Sequence, residues 1–306
     1  MKECIIRADG LTKKYGSFTA LDKVDIQVKR GDIYGLVGDN GAGKTTFLKL
    51  VTGQIFPDGG ELALFGEHLP AQMEKNRKRT GAIIEAPGFY PQLTIGQNME
   101  YYRRQKGIPG KATVDEILEL TGLADKKGKS AGHLSMGMKQ RLGLAIAMIG
   151  EPELLILDEP INGLDPSGII EIRNLFLRLN EEKNITIILS SHILPELEQL
   201  ATVYGFLNKG CLVEQISAES LKERCNSFVE IQVDDAERYA VLLDKLPGEV
   251  KYQVLPDNNI RIYQGEEDSI VYSRLASENN IGIYKLEQHQ LTLEQYYMNT
   301  KKRGQL

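Results

Sequence analysis

The residues Gly38-Asp39-Asn40-Gly41-Ala42-Gly43-Lys44-Thr45, followed by Thr46, fit the pattern G-x-x-x-x-G-K-[ST] at every fixed position. Gly38, Gly41 and Gly43 let the backbone curl so that successive amide hydrogens, from Asn40 through Ala42 to Thr46, point at one anion. The helix opening at Lys44 aims its positive end at the same place. Such a cradle suits a di- or triphosphate. Lys44 reaches the outer phosphates as a flexible cation, and the Thr45 hydroxyl is a candidate ligand of Mg²⁺. A second chemical cluster is Asp158-Glu159, where a pair of carboxylates is expensive unless something cationic or chemical uses it. The metal of a nucleotide is the natural user of Asp158, and an attacking water that of Glu159. His192, in Ser190-Ser191-His192, is a candidate contact of a γ-phosphate.

These groups need elements that bring them together. A buried-strand pattern over residues 33–37 precedes the glycine-rich loop, and a helical one over 45–52, stopped by Gly53, follows it. The continuous apolar runs 154–157 and 185–189 read as strands buried on both faces. Asp158, Glu159 and His192 therefore stand at their carboxyl ends, where open α/β sheets place ligand groups. Residues 4–9 and 24–29 read as strands, with 11–16 between them as a loop that exposes Tyr15. That ring is either a core aromatic or, given the phosphate loop, a face on which adenine stacks. Strand-like runs follow at 61–65 and 81–85, then helices at 95–105 and 114–120. Ser135 and Gly137 open the apolar helix at 142–149 and make a second anion-binding helix start, far in sequence from the first. Residues 162–166 read as a turn that offers the Asp165 carboxylate.

The 306 residues allow one large core and a second small one. A net charge of −5 argues against a protein whose main work is gripping nucleic acid. Cys4, Cys211 and Cys225 are scattered without metal-ligand spacing and read as reduced thiols of a cytosolic chain, two of them packed against apolar neighbours. The apolar run near the start is too short for a signal peptide, and nothing approaches the roughly 18 consecutive apolar residues of a membrane span. A membrane function would need another chain to supply the membrane part.

Together these segments resemble the ATP-binding subunit of an ABC transporter. The phosphate loop is its Walker A motif, Leu134-Ser135-Met136-Gly137-Met138 its signature, residues 154–159 its Walker B motif, 162–165 its D-loop and His192 its switch histidine. The resemblance implies a P-loop α/β core over residues 1–215, with an antiparallel β subdomain and a helical subdomain at about 89–150. It also implies a head-to-tail homodimer with ATP and Mg²⁺ at the interface. Ser135 and Gly137 then hold the γ-phosphate of the second copy's nucleotide, and Asp165 of the D-loop is a further candidate nucleotide contact. The signature departs from Leu-Ser-Gly-Gly-Gln, keeping the serine and second glycine. Glu85 stands where the family carries a glutamine, so a carboxylate near the metal can act as ligand or sensor and link the site to the membrane partner. These two departures resemble the bacitracin-resistance and lantibiotic-immunity branch of exporters. That branch implies a peptide antibiotic removed through a separate transmembrane permease, with this chain peripheral at the inner face of the membrane.

The rival is a soluble non-transport ABC ATPase acting on a macromolecule such as the ribosome. Relatives of that kind carry two cassettes in one chain or a long coiled coil before the signature, and this sequence has neither. A small-molecule kinase would leave the signature and the switch histidine unexplained. Residues 216–306 read as strand 228–233, helix 236–246, strands 250–255 and 260–263, helix 269–277 and strand 281–286. This β-α-β-β-α-β order is that of a ferredoxin-like α+β unit, for which no ligand is expected, and a last helix follows at 291–298.

Overall fold

In the computed structural model, which describes residues 2–68, 70–110, 112–224, 228–246, 250–263, 269–289 and 293–303, β1 (Cys4–Tyr15) and β2 (Phe18–Lys29) pair antiparallel. Both strands run further than their alternation suggests. Residues 11–15, expected as a loop, continue β1 through several register irregularities, so Tyr15 is the last strand residue before a tight hairpin. Bulges of this kind blur the alternation that marks a strand in sequence. The next strand, β3 (Ile33–Val37), is wholly buried and leads into α1 (Lys44–Thr52), which Gly53 ends in a left-handed cap. β4 (Gly59–Leu64) adds to β1 on the side away from β2 and completes the antiparallel sheet.

A polar helix, α2 (Pro70–Arg77), comes next. Its only buried residue is Met73, so it carries no apolar period that a sequence reading could find. After β5 (Thr80–Ile83) the chain turns helical. Thr94 opens α3 (Ile95–Gln105) with a capping box closed by Gln97, and α4 (Ala112–Leu120) follows. Ser135 caps α5 (Met136–Met148), whose residues 142–148 are all buried. Strands β6 (Leu154–Asp158) and β7 (Thr186–Ser191) flank α6 (Pro166–Lys183), and α7 (Leu194–Glu198) leads to β8 (Val203–Asn208) and β9 (Cys211–Ser217). The central sheet runs β5-β6-β7-β3-β8-β9, parallel except where β9 returns antiparallel to β8. Its middle strands are buried on both faces, as a parallel sheet covered by helices requires.

The chain divides into two compact units, the larger reaching to Ala218 and the smaller running from Glu219 to Lys302. α8 (Ala218–Arg224) starts at that boundary. The smaller unit contains β10 (Phe228–Val233), α9 (Ala236–Leu243), β11 (Tyr252–Leu255), β12 (Asn259–Ile262), α10 (Ser269–Glu278), β13 (Ile283–His289) and all but the last residue of α11 (Leu293–Arg303). Its sheet order β11-β12-β10-β13 is the ferredoxin-like one. Val229, Ile231 and Val233 alternate inward onto Tyr239, Leu243 and Tyr272, and the Tyr239 hydroxyl donates to the Tyr272 carbonyl at 2.8 Å. Of the thiols, Cys4 is half-buried and Cys211 exposed. Cys225 and the first residues of the expected last helix, 291 and 292, lie outside the described residues.

No helix among the described residues is long and apolar enough to cross a membrane.

Candidate active site

The register of the parallel strands decides which side chains meet. Val37 of β3 pairs with Ser191 of β7, and Ser190 pairs with Asp158 of β6, so the phosphate loop and the carboxylates emerge side by side. Gly43 caps α1 at φ 107, and a Cβ there would lie 2.6 Å from the Ala20 carbonyl oxygen. No side chain caps the first turn of α1, so its amides face the loop concavity. At Gly38 a Cβ would sit 2.6 Å from the Leu207 carbonyl oxygen. Both positions admit glycine alone without displacing backbone.

Lys44 is only 6% exposed, and a buried ammonium needs partners. Its Nζ donates to the carbonyls of Gly38 (2.7 Å) and Asp39 (3.3 Å) and lies 3.4 Å from Glu159 Oε1. Thr45 Oγ1 donates to Asp158 Oδ2 at 2.9 Å, while Ser190 Oγ donates to Asp158 Oδ1 at 2.6 Å. The same Ser190 oxygen accepts the Glu159 N–H at 2.9 Å. Glu159 turns out of β6 with a left-handed φ of 48, and its Oε2 lies 2.7 Å from His192 Nδ1. Two carboxylates, two hydroxyls, a lysine and a histidine thus form one connected network. Thr45 and Asp158 offer hard oxygen donors, the kind that Mg²⁺ takes in small number while phosphates and water fill its other positions. The donor set fits that ion.

Tyr15, Phe18, Asn40, Gly41, Lys44 and Glu159 are among the residues lining a cavity of about 260 Å³ over the loop, which Gly43, Thr45 and Thr46 also border. Tyr15 is 48% exposed at its rim, which removes the alternative of a core aromatic. The hairpin and the loop are tied to each other through Gly210, in the turn between β8 and β9. Its N–H donates to the Ala42 carbonyl at 3.0 Å, and its own carbonyl accepts from the Asp22 N–H at 2.8 Å.

Other expected residues stand apart from this cavity. Ser135, Gly137 and Asp165 do not line it. Ser135 is exposed and accepts weakly from Met138 N–H at 3.4 Å, and Asp165 accepts from the Ser167 hydroxyl at 2.6 Å, which lowers its carboxyl below the usual range. Glu85, at φ 65, pairs with Lys49 Nζ at 2.5 Å rather than with Thr45 or Asp158. The loop that follows Glu85 is braced by the buried Asn98, which binds the Tyr90 N–H and carbonyl at 2.8 and 3.0 Å. Ser190 and Lys49 carry no sequence motif. A polar residue closing an apolar strand was the one available signal for Ser190.

The profile of the ABC transporter family matches residues 21–162. The bacitracin transport ATP-binding protein BcrA of Bacillus licheniformis is 42% identical over 96% of this chain and 96% of its own length. The lantibiotic transport ATP-binding protein SrtF of Streptococcus pyogenes is 37% identical over 74% of this chain and 97% of its own. Among solved structures, the dimeric structure of a bacterial ABC transporter cassette superimposes with a TM-score of 0.63 at 23% identity. That match spans 70% of this chain and 99% of that one, and it speaks for the fold.

Proposed function

This chain belongs to the ABC transporter family and is an ATPase, and we propose that it drives removal of a bacitracin- or lantibiotic-like peptide antibiotic through a separate transmembrane permease. The observation that carries this reading is the 42% identity to a bacitracin transport protein over 96% of both chains, a span that includes most of the smaller unit.

In this reading the Tyr15 ring stacks on adenine, and the loop amides with Lys44 hold the phosphates. Lys44 is already poised for this, since a phosphate oxygen outcompetes the neutral carbonyls of Gly38 and Asp39 that it now binds, while Glu159 lies at a longer 3.4 Å. Thr45, Asp158 and Glu85 would hold Mg²⁺, which when bound neutralises phosphate charge. Glu159 takes the proton of the attacking water. Its contact with His192 fixes the direction of the carboxylate, and makes His192 the residue that feels a change at the outer phosphate. Ser135, Gly137 and Asp165 serve the ATP of a second copy, which accounts for their distance from the cavity of their own chain. The chain is thereby a homodimer at work and sits at the inner face of the membrane by way of the permease.

The test is growth inhibition by a panel of bacitracin-like and lantibiotic peptides in cells carrying this gene with its neighbouring membrane gene, with and without Glu159→Gln. Resistance to one peptide that disappears with the substitution is the expected result. Resistance that survives it would remove hydrolysis as the driving step, and a panel on which the strains do not differ would remove antibiotic export.

A further inference from the structure

Lys49 takes no part in the reading above. It nevertheless stands four residues beyond Thr45 on α1, hence on the same face of that helix as the Thr45 hydroxyl. Its side chain is 26% exposed, against 66% for its partner Glu85. Glu85 follows β5 by two residues, and Ile83 of β5 is level with Leu157 of β6, so Glu85 emerges at the edge where Asp158 ends its strand. The bond to Glu85 is the main influence holding the Lys49 ammonium above its usual range, and Asp158 and Tyr15 act in the same direction. A glutamine at position 85 would bring no charge. The glutamate brings a further carboxylate to the edge where Asp158 and Glu159 already stand, and like charges at such an edge need a cation.

We propose that Lys49 is the cation this edge keeps for itself, neutralising Glu85 in the nucleotide-free cassette and competing with the nucleotide's divalent cation for that carboxylate. The inference rests on reading Glu85 as a metal ligand. Under it, Glu85 exchanges one cation for another whenever the metal–nucleotide complex binds, and the pair with Lys49 re-forms when the complex leaves. Lys49 is then a positioning residue that weakens metal-dependent binding. An ion pair with this exposure is worth a factor of about 2 to 5 in an equilibrium constant.

The experiment is calorimetric titration of the full chain with ADP, with and without Mg²⁺, read as the ratio of the two Kd values. Lys49→Met should raise the Mg²⁺-dependent gain about 2- to 5-fold, whereas Lys49→Arg, which keeps a cation, should leave it as in the wild type. In a Glu85→Gln background Lys49→Met should change nothing. Lys49→Gln serves in its place if the methionine variant does not fold. A gain that is unchanged or reduced in Lys49→Met, or that moves equally in both backgrounds, overturns the proposal. If Glu85→Gln alone leaves the gain unaltered, Glu85 is not a metal ligand and both readings fall. If Glu85→Gln lowers it while Lys49→Met has no effect, only the competition by Lys49 falls.

Discussion

Replacing Ser190 by alanine removes one oxygen and two interactions. The hydroxyl is fully buried, so no water takes over its bonds. Its 2.6 Å bond to Asp158 Oδ1 has the length of a charge-assisted O–H···O⁻ contact, worth about 1.5–3 kcal/mol, and the Glu159 N–H that it accepts at 2.9 Å loses its partner for about 1 kcal/mol more. Ser190→Ala should therefore cost the larger unit about 3 kcal/mol. For a unit of this size that is a fall in Tm of roughly 6–12 °C. Asp158 would keep only its bond from Thr45 and Glu159 would lose an anchor, so phosphate release should fall by about tenfold, the equivalent of about 1.4 kcal/mol of lost positioning. Scanning calorimetry, with the transitions of the two units resolved because they need not unfold together, reads the first quantity. Phosphate release measured well below the transition reads the second. Ser191→Ala is the control, since the Ser191 hydroxyl accepts only the Ile193 N–H in this region. A Ser190→Ala protein with Tm within 2 °C of wild type and undiminished turnover would refute the claim that this hydroxyl joins the two carboxylates.

Tyr15→Ala should weaken ATP binding by about tenfold while Tyr15→Phe leaves it near wild type, because a stacked base is worth about 1–3 kcal/mol through the face of the ring; equal affinities in equilibrium titration would show that the base does not lie on it. Hydrogen bonds from Arg79, supported by Arg30, push the Glu153 carboxyl down to about 2 from its ordinary 4.5. Its contribution to stability is therefore complete above about pH 4.5 and lost as the pH falls toward 2. With the side chain 39% exposed, solvent screening reduces it to about 1 kcal/mol. Urea midpoints between pH 5 and 2.5 should fall less steeply in Glu153→Gln than in wild type, and parallel curves would count against the Arg79 contact.

Chemistry that rests on residue type at short spacing was legible in the sequence, and chemistry that rests on register was not. Strand β6 is readable from its unbroken apolar run, because a strand buried on both faces is built mainly of apolar residues. The helix α3 is readable from its period. Ser190 is invisible by the same logic: a serine ending an apolar strand looks alike whether it meets water or a neighbour's carboxylate, and only the pairing of Asp158 with Ser190 across β6 and β7 decides. Lys49 is hidden for a related reason, since its partner lies on a segment 36 residues away. Tyr15 was placed on a loop because the irregular register of β1 erases the alternation of its second half. α2 and the pair β8 and β9 left no mark strong enough to read, the helix because it is polar almost all round.

The Gly210 peptide acts as the fixed frame of a caliper. One jaw is the hairpin that carries Tyr15, the other is the loop around Ala42, and the peptide bonded to both sets the opening. In the proposed binding mode, with adenine on Tyr15 and the phosphates on the loop, a nucleotide spans both jaws, so the Gly210 peptide links the two ends of its site.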